Sequence, residues 1–297
     1  MPYEKLASAE NILKGNLASA WNILEGTSGD YTDLGIARRF GGAAAAYSLR
    51  DIGAMNGRVV RVRRSSDNQE EDFSANQVAI GLLETFVGSG NDGFVTKWYD
   101  QSGNNRPLIQ ATTSEQPSIV ENGVFLDGVK ADVATSNSTM KNLQVSTDGT
   151  TPNFGTDDWA NGGTKLGLIY VGKITDSFAN NKNCVFWGGG RGVSGYQSGG
   201  VSLQILKQGT DNWKLVNERN GLTPDLTAQS ALLDTNDDVI CYGTADNRDF
   251  TLKVNNVSSS GTEVADLDTR EDAAISLFGA YSNSSTSNYH QRSTAGV

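Results

Sequence analysis

Short alternating runs of apolar and polar residues dominate the chain from about residue 56 onward. The runs are rich in β-branched and aromatic residues, and clusters of Gly, Asn, Asp and Ser separate them, which is typical of strands joined by tight turns. So many short strands favour an all-β fold, an antiparallel sandwich of two sheets. The pattern predicts strands at 59–63, 94–99, 118–126, 166–172, 184–188, 201–206, 213–217, 238–243, 250–255 and 275–279.

One segment of this region, residues 74–88, has a helical pattern instead. Ser74 is a typical N-cap and Gly88 is a typical C-terminal stop, so we expect one helix between them. The face turned toward the core is predicted to carry Val78, Leu82, Leu83 and Phe86.

The first 26 residues contain a repeat with a period of 11, LASAENILKG at 6–15 followed by LASAWNILEG at 17–26. Its leucines fall on one face of a helix, and this period favours a slightly right-handed bundle if several copies associate. We therefore expect residues 1–38 to form a helical docking or oligomerisation segment and 39–297 to form the sandwich domain. A surface helix packed on its own domain is the alternative for 1–38.

The charge balance limits the partners of the chain. Its 24 Lys and Arg residues against 34 Asp and Glu residues give a formal net charge of −10, which opposes a general role in nucleic-acid binding. No apolar run reaches the roughly 18 residues of a membrane span. The N-terminus lacks the basic stretch and apolar core of a signal peptide. We expect no nucleic acid, no membrane span and no secretory signal.

Few residue types suited to catalysis or metal binding are present. The single histidine, His290, excludes a His-rich metal site, and a histidine-based triad would need that residue. Cys184 and Cys241 lie in the apolar runs CVFW and VICY, which favours buried free thiols. The Asp- and Asn-rich loops at 156–163 and 234–238 could hold calcium but match no calcium-binding loop, so we expect solvated turns and no cofactor.

Arginines crowd into GRVVRVRRSSD at 57–67, and further acidic residues follow directly. Strand alternation places Arg61 and Arg63 on one face. Because arginine and carboxylate groups pair in bidentate fashion, we expect a local network of ion pairs and hydrogen bonds. Its members would be Arg58, Arg61, Arg63 and Arg64 together with Asp67, Glu70, Glu71 and Asp72. Binding of a phosphate or an acidic sugar is the alternative.

Aromatic residues in polar loops are candidates for sugar contacts, because sugar rings stack on flat side chains beside amides and carboxylates. Trp98 and Trp187 lie within predicted strands, so we expect both in the core. The candidate glycan contacts are Trp159, Tyr196, Trp213 and Tyr281.

Several segments together resemble a known family: AAAAYSLRDI at 43–52, RVRRSSDNQEEDF at 61–73, FVGSGNDGFVTKWYDQSGNNRPLIQAT at 86–112 and QPSIV at 116–120. The family is the concanavalin A-like module of bacteriophage virion proteins, which is similar to LamG and to the catalytic domain of fungal α-L-arabinofuranosidase B. The most specific segment is WYDQSGNN, in which we expect Tyr99, Asp100 and Gln101 to be structural. The resemblance implies a jelly-roll sandwich with a further closing strand, whereas the chain stops at 293–297. We therefore expect that last strand to be missing, and either a neighbouring chain or a longer native protein would supply it.

The resemblance implies a virion structural protein, a surface-exposed tail, fibre or capsid appendage. Such a protein is made in the host cytoplasm and displayed on the virion surface. The implied partners are other virion proteins docked through 1–38, further copies of the chain, and a host-surface polysaccharide. A capsid decoration protein without a ligand is the alternative.

Glycoside hydrolysis requires two carboxylates beside the bond that is cleaved. The arabinofuranosidases of the resemblance place a nucleophilic Glu in an Asp-Leu-Glu-Asn-Gly stretch and an acidic Asp in a late Gly-Asp-Asn-Ser stretch. This chain has neither stretch, and its late counterpart at 278–286 contains no Asp. We therefore expect no enzymatic activity, with a glycosidase that uses Asp157, Asp158 or Asp211 as the alternative.

Overall fold

The computed structural model describes residues 43–53, 57–131, 143–145, 165–173, 182–190, 200–208, 210–218, 225–228, 238–246, 249–262, 273–277 and 293–296. The helical segment expected at 1–38 lies outside the described residues. None of the helices in the described ranges is long and apolar enough to cross a membrane.

The described chain consists mainly of strands. The first are β1 (Arg58–Arg64), β2 (Glu70–Ser74), β3 (Gly93–Trp98), β4 (Leu108–Ile109), β5 (Ser118–Glu121), β6 (Val124–Ala131), β7 (Leu143–Val145) and β8 (Lys165–Lys173). They are followed by β9 (Lys182–Gly190), β10 (Gly200–Gln208), β11 (Thr210–Glu218), β12 (Asp225–Ala228), β13 (Asp238–Asp246), β14 (Asp249–Val254), β15 (Val257–Thr262), β16 (Ala273–Leu277) and β17 (Ser293–Gly296). Two short helices, α1 (Ala75–Ala79) and α2 (Leu82–Val87), and a 3₁₀ turn at Thr113–Glu115 complete the described elements.

The antiparallel two-sheet sandwich that the sequence predicts is confirmed, and the sheet divides into its two layers at β3. The first residues of β3, Gly93 and Phe94, pair with β5, whereas its last residues, Lys97 and Trp98, pair with β4. One layer continues from β5 through β6, β17, β8, β13, β14 and β15. The other continues from β4 through β7, β16, β9, β10, β11 and β12. Strands β11 and β12 approach β14 and β15, and none of the described ladders joins them.

Every segment predicted as a strand contains one, and the segment 118–126 contains two. It divides into β5 and β6 at Asn122 and Gly123, which both have positive φ, 52° and 79°. An Asn-Gly pair in this conformation is the preferred two-residue turn of a β-hairpin. The strands that the sequence pattern missed are β2, β4, β7, β12, β15 and β17.

The prediction of one helix over 74–88 is wrong, because the structure contains two helices. Gly81 adopts the left-handed conformation with φ of 81° and separates α1 from α2. Ser74 caps α1 as expected, through reciprocal hydrogen bonds with the third helical residue. The break rotates α2, so that Leu82 is 42 % exposed and Val87 is buried instead.

Side chains along β14 alternate between the core and the outside, as a sandwich requires. Phe250, Leu252 and Val254 are buried, and the residues between them are not. Cys241 of the neighbouring β13 is a buried free thiol, as predicted, and its burial raises the pKa of the thiol. The side chain of Cys184 lies outside the described residues.

The outer side of the same layer carries apolar residues on β8 and β13. Tyr242 lies opposite Ile169, and Ile240 lies opposite Val171. Ile169 is 68 % exposed, and Ile240 and Tyr242 are also exposed. This face of the sheet therefore keeps an apolar row in contact with solvent, whereas most single-domain surfaces are mixed.

The segment 43–53 has no regular secondary structure, and the buried side chain of Gln101 holds it in place. The Gln101 amide donates hydrogen bonds to the carbonyl oxygens of Ser48 at 2.8 Å and Arg50 at 3.0 Å. Its side-chain oxygen accepts a hydrogen bond from the Ile52 N–H at 2.9 Å. These bonds supply partners for backbone groups that no ladder satisfies.

Asp100 ties the same segment to the loop that follows β3. Its carboxylate accepts hydrogen bonds from the backbone N–H of Ala46 at 2.9 Å, Ser102 at 2.9 Å and Arg106 at 3.0 Å. The Ser102 hydroxyl donates a further hydrogen bond at 2.8 Å. The backbone at position 53 lies so close to Gln101 that only glycine fits there, because a Cβ would overlap the carbonyl oxygen of Gln101. Asp100 and Gln101 are therefore structural residues of a clasp that fixes 43–53.

We expect Gln101→Leu to lower the free energy of unfolding by about 3 kcal/mol, because it leaves three backbone groups of 43–53 without partners. Urea unfolding measures the change. Gln69→Leu is the matched control, since Gln69 is exposed, and it should lower stability by less than about 1 kcal/mol. Equal losses in both variants would contradict the clasp.

Candidate functional site

A pocket of about 460 Å³ opens between the segment 49–51, helix α1 and the first half of β6. Its volume lies within the range of pockets that bind small molecules and sugars. The side chains that define its chemistry are Arg50, Asp51, Asn76, Val78, Phe125 and Asp127.

Three local features bring these side chains together. The clasp fixes the carbonyl of Arg50, and the Ser48 hydroxyl accepts a hydrogen bond from the Arg50 N–H at 2.9 Å. The Ser74 cap sets the start of α1 and so the position of Asn76. The backbone N–H of Phe125 donates to the Glu84 carboxylate of α2 at 3.2 Å, which joins β6 to the helices.

Asp127 lies in a bulge of β6. Val120 pairs with Phe125 and Ser118 pairs with Lys130. Between these two pairs β6 therefore contains more residues than β5, which is the definition of a bulge. Within this bulge Asp127 has a positive φ of 52°, in the left-handed region that Asp and Asn tolerate better than most residues. The bulge places the exposed Asp127 carboxylate at the pocket rather than in a regular ladder.

The pocket combines one aromatic ring with polar groups that are not engaged elsewhere in the described chain. Phe125 is partly buried and packs against the core. Within the described ranges, the side chains of Arg50, Asp51, Asn76 and Asp127 make no hydrogen bond or ion pair with one another or with other residues. Two carboxylates, a guanidinium group and an amide beside an apolar wall can bind hydroxyl groups of a ligand.

None of the predicted aromatic contacts is among the described residues that line this pocket. Trp159, Tyr196 and Tyr281 lie outside the described residues. Trp213 is on β11, paired with Ile205 of β10 and Ala228 of β12, and its side chain lies outside the described set. Of the alternative carboxylates, Asp157 and Asp158 also fall outside the described ranges, and the side chain of Asp211 is not described.

Asp72 is the centre of the arginine cluster on β1–β3. Its carboxylate accepts hydrogen bonds from Arg61 at 2.7 and 3.1 Å, from Arg58 at 2.8 Å and from the Tyr99 hydroxyl at 2.7 Å. Burial raises the pKa of Asp72, but the hydrogen bonds from Arg61, Arg58 and Tyr99 outweigh it and hold that pKa well below its usual value.

The remaining arginines of the run are also bound within the chain. Arg64 forms a bidentate pair with Asp67, at 2.7 Å for each bond, and these bonds lower the pKa of Asp67 to about 2. Arg63 is buried and donates to Gln116 and Asn68, each at 2.7 Å. Burial lowers the pKa of Arg63. These guanidinium groups therefore stabilise the sheet and its turn.

The pocket residues were missed because no single motif contains them. Arg50 and Asp51 lie in a segment without strand or helix pattern, and Asn76 is one polar residue of a helix. Phe125 and Asp127 belong to a stretch that the pattern presents only as a strand. The Asn-Gly turn before Phe125 was the one available signal, because it fixes which residues of β6 follow the hairpin.

Comparisons with known proteins reveal similarity at the level of the fold. No family model matches the chain, and no curated protein matches it. A GH54 α-L-arabinofuranosidase soaked with a cyclic sulfate inhibitor is similar with a TM-score of 0.52 and 16 % identity over 85 % of this chain and 59 % of that one. A GH54 mutant soaked with 4-nitrophenyl α-L-arabinofuranoside has a TM-score of 0.53 and 16 % identity, covering 85 % and 57 % of the two chains. The chain thus spans less than two thirds of the length of these structures.

These structures contradict one expectation from the sequence. The absence of the family's carboxylate motifs led us to expect that the chain is not an enzyme. The solved structures that share its fold at TM-scores of 0.52 and 0.53 are glycoside hydrolases. The missing motifs are therefore no ground for excluding catalysis, because other carboxylates, including Asp51 and Asp127, line a pocket.

We expect Asp72→Asn to lower the free energy of unfolding by about 2 kcal/mol near neutral pH. The pKa of Asp72 is lowered by folding, so its contribution is complete above the unfolded value of about 4 and is lost as the pH falls through the lower folded value. The difference between the native chain and the variant should therefore narrow below about pH 4, as measured by urea unfolding across pH. A constant difference down to strong acid, or an equal effect of Glu71→Gln on the exposed side of β2, would contradict this role.

Proposed function

We propose that the chain is a glycan-binding β-sandwich of a bacteriophage virion protein, and that the pocket beside α1 holds a sugar unit. The observation that carries the glycan site is the set of four polar side chains around Phe125 that have no partner within the described residues. Sugars present both hydroxyl groups and an apolar ring face. A pocket with a ring and free hydrogen-bonding groups complements both features.

The size of the pocket agrees with a small ligand. About 460 Å³ accommodates one or two sugar rings, since ligand pockets occupy roughly 300–1,000 Å³. Its walls come from three parts of the chain whose backbone is held by hydrogen bonds, so the backbone needs little ordering when a ligand binds. Such preorganisation favours affinity.

The virion role rests on the resemblance of most of 43–130 to the phage module. In this proposal residues 1–38 dock the chain on other virion proteins, and the sandwich is displayed on a tail, fibre or capsid. The exposed apolar row of Ile169, Ile240 and Tyr242 supports contacts with other copies or other virion proteins, because exposed apolar patches often mark interaction surfaces.

Phe125→Ala and Asp127→Asn test the glycan site. On a glycan array we expect the full chain to bind, and each variant to lose at least about tenfold in affinity by calorimetry, because each removes one recognition group. Asn tolerates the left-handed backbone at position 127, so that variant changes charge with little strain. Glu71→Gln is the control outside the pocket and should bind like the native chain. Full binding by both pocket variants would contradict the site.

Hydrolysis of a glycoside is a second candidate function, favoured by two carboxylates in one pocket. Asp51 and Asp127 come from two different segments that line the pocket, and an acid and a nucleophile or base must flank the bond that is cleaved. The arabinofuranosidases that share the fold make an arabinofuranoside the substrate class to test first.

We expect a hydrolase of this kind to release 4-nitrophenol from 4-nitrophenyl α-L-arabinofuranoside, and Asp51→Asn or Asp127→Asn to reduce the rate at least about a hundredfold. Absorbance of the released nitrophenolate measures the rate, with Glu71→Gln as the control. Release that survives both substitutions contradicts these catalytic roles. Glycan binding without any release leaves the pocket as a binding site alone.

A further inference from the structure

The described residues that line the pocket carry a negative formal charge. Arg50 contributes one positive charge, and Asp51 and Asp127 contribute two negative charges, while the other described lining residues are uncharged. The whole chain also carries a formal net charge of −10. A ligand with an acidic group therefore meets an unfavourable field as it approaches and again when it is bound.

The arrangement of the charges prevents Arg50 from reversing this effect. Asp51 follows Arg50 directly in the segment 49–51, and Asp127 lies on β6. Each of these two segments thus contributes a carboxylate to the described lining, whereas the single guanidinium comes from one of them. The clasp fixes the backbone of Arg50, and the bulge fixes that of Asp127, so the two segments keep these positions.

We infer that the pocket selects against glycans that carry an acidic group and binds amine-bearing sugars more tightly than neutral ones. This inference rests on the proposed glycan site and adds the class of sugar. Neutral hydroxyl groups can donate to both carboxylates and accept from Arg50 and Asn76. An ammonium group donates charge-assisted hydrogen bonds to the same carboxylates, and a ligand carboxylate is repelled by them.

Two matched pairs of oligosaccharides test the selection, because the members of each pair differ mainly in charge. Trigalacturonate is compared with its methyl ester, and the chitosan trimer with the acetylated chitin trimer, by calorimetry on the full chain at low salt. We expect the ester to bind at least about tenfold more tightly than the acid, and the amine at least about threefold more tightly than its acetylated form. Raising the salt concentration should narrow both ratios.

Asp127→Asn tests whether the charge of the pocket, rather than its shape, causes the selection, because Asn has nearly the same shape as Asp but no charge. This substitution should reduce the preference for the ester to less than about threefold, because it makes the formal charge of the pocket zero. Glu71→Gln removes one negative charge from the chain outside the pocket, as Asp127→Asn does within it, and should leave the preference unchanged. A preference that persists in Asp127→Asn overturns the assignment of the selection to this carboxylate.

The outcomes distinguish this inference from the function on which it rests. Binding of trigalacturonate as tight as that of its ester overturns the selection and leaves the glycan site in place. A chitosan trimer no tighter than the chitin trimer overturns the preference for amines. Binding by none of the four probes overturns the proposed glycan site, and the inference falls with it.

Discussion

The hydrogen bonds from the Gln101 side chain to the backbone of 48–52 are the interaction on which the rest of the structure depends. A segment without helix or ladder must find partners for its backbone groups elsewhere, or it cannot remain against a core. One amide supplies three of these partners, and the Asp100 carboxylate supplies another to Ala46. The end of β3, where the two layers separate, is thereby joined to one wall of the pocket. The fold and the pocket therefore depend on the same set of hydrogen bonds.

The sequence pattern predicted the strands that alternate because one side is buried. It did not predict the elements that depend on charge pairing, on a position at the edge of a layer or on a glycine conformation. Strand β2 reads EEDFS, and its acidic residues become favourable only beside the arginines of β1. Strand β15 reads VSSSGT and has no buried residue, because it extends the layer beyond β14. The prediction of a single helix was wrong because Gly81 adopts, at little energetic cost, a left-handed conformation that interrupts the helix.

The site was harder to predict than the fold for a physical reason. A strand pattern is local, but the pocket joins side chains from 49–51, α1 and β6, which only the tertiary structure brings together. The residues that attract attention in the sequence behave differently: Arg61, Arg63 and Arg64 find partners close by and are occupied within the chain. The guanidinium groups of β1 are thus satisfied within the chain, whereas the side chains of Arg50, Asp51 and Asp127 have no partner among the described residues.

Cys241 gives the protein a chemical reporter of its own folding. The thiolate is the form that reacts with alkylating reagents and oxidants, and burial both shields the sulfur and disfavours that form. Its strand β13 pairs with β8 on one side and β14 on the other, so the sulfur becomes reactive only when this part of the sandwich opens. The rate at which a thiol reagent modifies this residue in the native protein therefore follows the frequency of that opening, without any added denaturant.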